Sequence, residues 1–171
     1  MSEAFATAAP DLGTREPAPA YDLIELFFFA YRDFVGDPDR VLGELGFGRA
    51  HHRILHFVAR RPGLSVADLL DVLKITKQSL NRVLKELIDK GHIQQRTGTT
   101  DRRQRLLFAT EAGRELAAEL ARLQTRRIRR ALARDADGGI EDAARRFLSA
   151  MIDPANRVEM REIVGNAKRG A

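Results

Sequence analysis

Apolar residues in the segment 75–91 recur with the period of an amphipathic helix. Their spacings of three and four residues place them on one stripe, which can pack against the core of a domain. Thr76 is suited to cap the start of this helix, and Gly91 is suited to end it. The pattern therefore predicts a helix with one buried face. The apolar positions are Leu80, Val83, Leu84, Leu87 and Ile88.

A second, shorter helix is predicted just upstream. Ser65 and Asp68 stand three residues apart, which is the spacing of a capping box at a helix start. Apolar residues follow as far as Leu73, and only a tight turn separates them from Thr76. Two helices with so short a join are typical of a helix-turn-helix motif.

Two short strands are predicted downstream, at Ile93–Thr97 and Arg105–Ala109. The connection between them, residues 98–104, carries positive charge and is interpreted as a wing. Arginines at the tip of a wing can enter the minor groove of DNA. Asp101 would repel phosphate, so we expect it to hold Arg103 in position through a charge-assisted hydrogen bond.

The polar face of the 75–91 helix carries long or hydroxylated donors, mostly in its first half, where a recognition helix meets base edges in the major groove. A solvated helix surface would show the same composition, but the neighbouring helix and wing favour the DNA-binding interpretation. The predicted DNA contacts are Thr76, Lys77, Gln78, Ser79, Asn81, Arg82, Lys85, Asp101, Arg102 and Arg103.

The remaining segments predict a helical support for this lobe. Residues 1–20 are rich in Ala and Pro and are expected to be a disordered tail. Tyr21–Val35 is predicted to be a helix too apolar to be buried by one small domain. Residues 36–48, broken by Pro38, are predicted to be a connection with at most a short helical turn, followed by a helix at Arg49–Arg60.

The C-terminal part is predicted to be helical as well. A long helix is expected between Glu111 and Arg134, ended by Gly138-Gly139, then a helix over Ile140–Ile152 and a last turn or two through Met160, Ile163 and Val164. The fold class is mainly α with a small β-hairpin wing, a winged helix-turn-helix plus a helical dimerisation region. We divide the chain into a tail (1–20), supporting and dimerising helices (21–60), a DNA-binding lobe (61–110) and dimerisation helices (111–171).

Charge and cysteine content restrict the classes of function that the sequence allows. The net charge is +5, and the surplus is concentrated between Lys74 and Arg105, where eight Lys or Arg residues precede Arg105 against three acidic ones. The chain has no cysteine, which excludes thiol-based sensing and thiolate metal sites. The apolar run Leu26–Ala30 is too short to span a bilayer, and Glu3 does not suit a secretory signal, so we expect a cytoplasmic protein without membrane contact.

These residues and their order resemble the MarR (multiple antibiotic resistance regulator) family of bacterial transcription factors, from about Tyr21 to Arg134. The resemblance implies a homodimer, with the helix after Thr76 in the major groove and Asp101 and Arg103 in the wing. It implies a ligand pocket in many members. The segments that match the family are Leu64–Leu70, Ile75–Leu84, Lys90–Ile93, Asp101–Arg103 and Thr110–Gly113.

A homodimer would read a palindromic operator, with half-sites roughly 10 base pairs or a multiple apart. We expect such a protein to be a repressor, relieved by a small anionic aromatic ligand. An aromatic and cationic cleft could receive that ligand, although the aromatic residues are equally suited to a core. The cleft residues would be Phe28, Tyr31, Arg32, His51, His52 and Arg53.

Other functions were weighed. His52 and His56 have a spacing that can hold a metal, but capping, packing or lining a pocket is the better interpretation for the cluster with His51, so we expect neither metal nor cofactor. A winged-helix nucleoid or protein-scaffold module with little sequence preference is the main alternative. A small enzyme is a distant one, because the chain has no Gly-rich phosphate loop and no nucleophile-elbow pattern.

Overall fold

The computed structural model describes residues 18–98, 101–134 and 138–157. Within these ranges the chain is mainly helical, with one small antiparallel sheet, which confirms the predicted fold class. A short 3-10 helix, Pro154–Asn156, follows the last α-helix. The elements are α1 (Tyr21–Glu44), α2 (Arg49–Arg60), β1 (Leu64–Ser65), α3 (Val66–Leu73), α4 (Lys77–Asp89), β2 (Ile93–Thr97), β3 (Arg105–Ala109), α5 (Glu111–Leu132) and α6 (Ile140–Met151).

Some expectations fall outside the described residues. These are most of the predicted tail, residues 1–17, the wing residues Thr99 and Thr100, and the last helical turns through Met160, Ile163 and Val164.

The helix-turn-helix begins and ends on the predicted signals. Ser65 Oγ accepts a hydrogen bond from the backbone N–H of Asp68 at 3.1 Å, and the Asp68 carboxylate accepts one from Ser65 N at 3.2 Å. Thr76 Oγ1 likewise accepts from Ser79 N at the start of α4. After α4, Gly91 has a φ of 76°, a left-handed conformation that glycine adopts without steric cost.

The predicted connection at residues 36–48 is wrong, because α1 continues to Glu44. Proline usually breaks a helix, since it has no N–H and crowds the preceding turn. Here Pro38 is buried on the same face as Val35 and Leu42, so packing against the core outweighs the local preference. The actual connection is the short segment 45–48.

One strand and one helix end also differ from prediction. The strand β1 was missed because two residues are too few to show a pattern, yet it pairs with β3 in the register Leu64↔Leu107. Helix α5 ends at Leu132, before Gly138-Gly139, with Ala133 as its C-cap. The strands β2 and β3 have the predicted bounds, and their register runs from Ile93↔Ala109 to Thr97↔Arg105.

The core lies around α2 and gathers α3, α4, the sheet and the first half of α5. Ile54, Leu55 and Val58 of α2 are completely buried, and Leu116 and Leu120 bring α5 against the same cluster. No helix within the described ranges is long and apolar enough to cross a membrane.

Helix α6 and the first part of α1 contribute little to this core. Helix α6 buries no residue, and α1 buries none before Val35. Large apolar side chains therefore remain exposed along one end of the structure. They are Tyr21, Leu23, Ile24, Leu26, Phe27, Phe28, Phe29 and Tyr31 of α1, Ile128 of α5, and Ile140, Phe147, Leu148 and Met151 of α6.

Candidate nucleic-acid interface

Helix α4 presents its donor face to solvent. Its apolar stripe is buried, and this fixes which side of the helix faces outward. Every predicted DNA contact on α4 and in the wing is exposed. On α4, four of these side chains make no hydrogen bond or ion pair within the described part of the chain, so they are free to bind a ligand. They are Lys77, Gln78, Asn81 and Arg82.

Three predicted contacts on α4 also have local partners. The Thr76 hydroxyl donates to Ser79 Oγ at 3.0 Å while it caps the helix. Lys85 forms an exposed ion pair with Asp89, one turn further along. Exposed pairs of this kind contribute little to stability, so Lys85 can exchange its partner for a phosphate at small cost.

The wing is held by its own backbone. Gly98 N donates to Gln104 O at 3.0 Å, and Gln104 N donates to Asp101 O at 3.0 Å. The Asp101 carboxylate accepts from the backbone N–H of Arg103 at 2.8 Å. The predicted charge-assisted hydrogen bond between Asp101 and Arg103 is present, but it comes from the backbone N–H of Arg103 and not from its side chain, so it fixes the turn. Within the described residues, the Arg103 guanidinium makes no hydrogen bond or ion pair.

Helix α4 and the wing border a common groove of about 470 Å³. Lys77 and Asn81 line it from the helix, and Arg103 and Arg105 line it from the wing. The groove therefore combines positive charge with amide donors, which suits a sugar-phosphate backbone and base edges.

Several residues of this groove were not among the predicted DNA contacts, and Gln95 and Arg105 of the strands are two of them. The predicted wing contacts lay only in the turn, and both strands were expected to be structural. The sequence does contain a partial signal for Arg105, because this residue belongs to the basic segment that begins at Lys74. What the sequence could not show is that the strands pack beside α4.

His51 links α2 to the recognition helix. Its Nδ1 accepts from Gly48 N at 3.1 Å, so Nε2 carries the hydrogen and donates to Glu86 Oε2 at 2.8 Å. The ring also stacks on Phe47, with 4.6 Å between centroids. His51 is buried, and it both caps α2 and positions α4. Capping was one of the uses predicted for it.

Two further contacts fix the helix-turn-helix against the rest of the lobe. Arg53 of α2 donates to the carbonyl oxygen of Leu73, at the end of α3. Lys90, just after α4, lies over the Phe47 ring at 4.5 Å from its centroid. Both ends of the motif are thereby tied to α2 and to the loop before it.

The residues predicted to line a ligand pocket lie on two helices. His51 and Arg53 face the DNA-binding lobe, as described above. Phe28 and Tyr31 of α1 are 65% and 51% exposed, and in a single chain they do not enclose a ligand. Arg32 lies beside them, over the Phe29 ring and paired with Asp33. The pocket stays a prediction. Residues beyond those of α1 and α2 would have to cover Phe28 and Tyr31 before a ligand could be enclosed.

His52 and His56 lie on the partly buried side of α2. Burial lowers the pKa of both imidazoles, and for His52 the nearby Asp39 opposes that shift. For His56, the neighbouring His52 and Arg60 lower the pKa further. Among the described residues, no group of three His, Asp or Glu side chains is arranged to hold a metal ion.

Comparison with known proteins agrees with this geometry. A family model described as the MarR family matches residues 45–104. The HTH-type transcriptional regulator PetP of Rhodobacter capsulatus is 51% identical over 134 residues, which are 78% of this chain and 80% of PetP. The chain belongs to the MarR family. It is therefore a transcriptional regulator with a DNA-binding winged helix, and such regulators are not enzymes.

Solved structures of MarR-family proteins share the fold. FabT of Streptococcus pneumoniae, in complex with DNA, has a TM-score of 0.65 at 16% identity and matches 76% of this chain and 94% of its own. A MarR-family protein of Mycobacterium tuberculosis, in complex with p-aminosalicylic acid, has a TM-score of 0.55 at 25% identity, with 78% and 98% covered. At 16% identity, the likeness to FabT concerns the fold alone.

Proposed function

We propose that this MarR-family chain acts as a homodimeric repressor that binds a palindromic double-stranded operator in the cytoplasm. One observation carries the proposal: Lys77 and Asn81 of α4 and Arg103 of the wing border the same positively charged groove. In this proposal α4 enters the major groove and the wing enters the adjacent minor groove.

The predicted contacts would divide into two roles. Gln78, Asn81 and Arg82 have the donors that pair with adenine or guanine edges, so they would read bases. Thr76 and Ser79 at the N-terminus of α4 would bind phosphate, because free backbone N–H groups and the helix dipole favour an anion there. Cationic side chains on both elements would supply the remaining phosphate and minor-groove contacts. These side chains are Lys77, Lys85, Arg102 and Arg103. Asp101 has a different role, because its hydrogen bond to the Arg103 backbone stabilises the wing turn.

The exposed apolar end of the chain supports the homodimer. Phe27 of α1 and Phe147 of α6 already meet at 6.4 Å between ring centroids, so α1 and α6 form one continuous apolar surface. A second copy would bury that surface across a two-fold axis, which is the commonest arrangement of soluble homo-oligomers. The same axis would place two α4 helices on a palindromic site.

Ligand control would act at the junction of α1 and α2. Phe28, Tyr31 and Arg32 could be closed over by the partner chain, giving an aromatic and cationic cleft for a small anionic aromatic ligand with His52 at its base. The M. tuberculosis relative is solved with p-aminosalicylic acid, a ligand of that class. Titrating p-aminosalicylate into the protein–operator complex tests this step. Release of DNA supports it, and an unchanged complex at saturating ligand contradicts it.

A low-specificity nucleoid or scaffold role is the second candidate, and the basic surplus around α4 and the wing is the observation that favours it. The test compares binding to random DNA and to the DNA upstream of the protein's own coding region at rising salt. Phosphate contacts weaken equally on all sequences as salt rises. We expect the upstream DNA to remain bound at salt concentrations that release random DNA. Equal loss from both would favour the scaffold.

Replacing Arg103 with Ala should weaken operator binding by ~1–3 kcal/mol and reduce its salt dependence. The reason is the loss of a guanidinium that the wing turn leaves unpaired. Fluorescence anisotropy at several salt concentrations measures both quantities. Arg61→Ala removes the same charge outside α4 and the wing and serves as the control. Affinity that stays unchanged at low and high salt would exclude the wing from DNA contact.

Replacing Gln78 or Asn81 with Ala should relax base preference at particular positions of the operator. Their exposed amides are free to pair with adenine, and loss of one bidentate pair costs ~1–3 kcal/mol of discrimination. Selection from a randomised DNA library measures the preference for each variant. A uniform loss on operator and random DNA would assign both residues to phosphate contact instead.

A further inference from the structure

The last half of α5 carries a cluster of positive charge that DNA binding by α4 and the wing does not use. Between Leu120 and Arg134 the sequence has six arginines and no acidic residue. A cleft of about 400 Å³ opens where α5 approaches α6. We call it the arginine cleft, and it is lined by Arg127, Arg130, Ala131, Arg134 and Ile140.

One of the three arginines in the cleft is already paired with acidic residues. Arg127 bonds to Asp37 at 3.0 Å and lies 3.9 Å from Asp33, both on α1. The hydrogen bond from Arg127 lowers the pKa of Asp37, as expected for a carboxylate beside a guanidinium. Arg127 is therefore ion-paired, although Asp37 also pairs with Arg40 and Asp33 also pairs with Arg32.

The other two arginines are less closely paired with acids, although Arg130 is near enough to Asp37 to help lower the pKa of that carboxyl. Arg130 and Arg134 form no ion pair within the described residues; the Arg130 Nε makes only a long contact, 3.4 Å, to the carbonyl oxygen of Arg126. Arg130 lies in the last turn of α5 and Arg134 in the turn just after it; both line the cleft, where their like charges repel each other. An anion bound between them would remove that repulsion and accept hydrogen bonds from both.

We infer that the arginine cleft binds a small organic phosphate monoester. A phosphate group carries about −1.5 to −2 charge near neutral pH and three acceptor oxygens, which matches two unpaired guanidinium groups. A carboxylate has one charge and would leave one arginine unbalanced. Ala131 and Ile140 give the cleft apolar walls, and they would receive the organic part of the ligand. The inference is independent of the operator and of the aromatic ligand proposed above.

The test measures binding of phenyl phosphate by calorimetry to the full chain at fixed ionic strength. Arg130→Gln combined with Arg134→Gln should weaken binding about tenfold or more, because a lost charge-assisted hydrogen bond changes affinity by about that factor. The matched control is Arg126→Gln combined with Arg129→Gln, which removes the same charge from the same helix outside the cleft. It should bind phenyl phosphate like the unmodified chain.

Four outcomes would overturn the inference. The first is no binding of phenyl phosphate, and the second is an equal loss in both double variants, which would mean diffuse attraction to a basic helix. The third is equal affinity for benzoate, which would assign the cleft to carboxylates. The fourth is a loss of the dimer, seen by sedimentation, in the Arg130 and Arg134 variant alone, because partner acids would then fill the cleft.

Discussion

Replacing Gly113 with Ala should destabilise the protein by about 3 kcal/mol or more, the upper range for a substitution that overfills a packed site. An added Cβ would lie 2.0 Å from the carbonyl oxygen of His92 and 2.9 Å from its carbonyl carbon. Both atoms belong to backbone, so no side chain can move aside to relieve the overlap. The start of α5 would have to separate from the residue that precedes β2.

The same contact explains why that separation would be costly. Thr110 N donates to His92 O at 3.0 Å, and the Thr110 hydroxyl donates to Gly91 O while it accepts from Gly113 N. The N-cap of α5 is thus bonded to the end of α4. An Ala at residue 113 would disturb the junction between the recognition helix, the wing and α5 at once.

The matched control is Gly36→Ala. Gly36 lies within α1, and an added Cβ there would have no atom within 4 Å. The substitution should therefore stabilise the helix by ~0.5–1 kcal/mol, because Ala loses less backbone entropy than Gly. Urea unfolding followed by circular dichroism, at one fixed chain concentration, measures both variants. If Gly113→Ala unfolded at the same urea concentration as the unmodified chain, the close approach of α5 to His92 would be wrong.

Local signals were enough to predict the DNA-binding lobe. Thr76 and Gly91 delimit α4 through hydrogen bonds and backbone conformations that involve only neighbouring residues. The bounds of β2 and β3 follow from two short, partly apolar runs and the turn segment between them. The exposure of the predicted DNA contacts then follows from the buried stripe of α4, whereas their contact with DNA stays a prediction.

Features that depend on distant partners were not predictable in this way. The course of α1 through Pro38 depends on burial against the core, which outweighs a local signal for a break. The strand β1 exists because Leu64 pairs with Leu107, forty-three positions away in the sequence. The role of His51 was left open between capping, packing and lining a pocket. Its capping bond with Gly48 is local, whereas its hydrogen bond to Glu86 depends on a residue of α4 that is distant in the sequence.

Replacing Phe28 with Asp should convert the proposed dimer to monomer. Phe28 is 65% exposed in the single chain, so the substitution leaves the fold of the chain intact. In the proposed dimer the same position is buried against the partner, where an unpaired carboxylate is strongly unfavourable. Sedimentation velocity at micromolar concentration measures the change. Phe28→Leu keeps an apolar side chain and should remain dimeric.

Operator binding should fall together with the dimer, on the order of 100-fold or more, because two linked α4 helices bind two half-sites far more tightly than one helix binds one. Affinity for a single half-site should stay close to that of the unmodified chain, since α4 and the wing are untouched. This separates loss of the dimer from damage to the DNA-binding lobe. A Phe28→Asp variant that sediments as a dimer and binds the full operator normally would contradict the assignment of the apolar end of α1 to the interface.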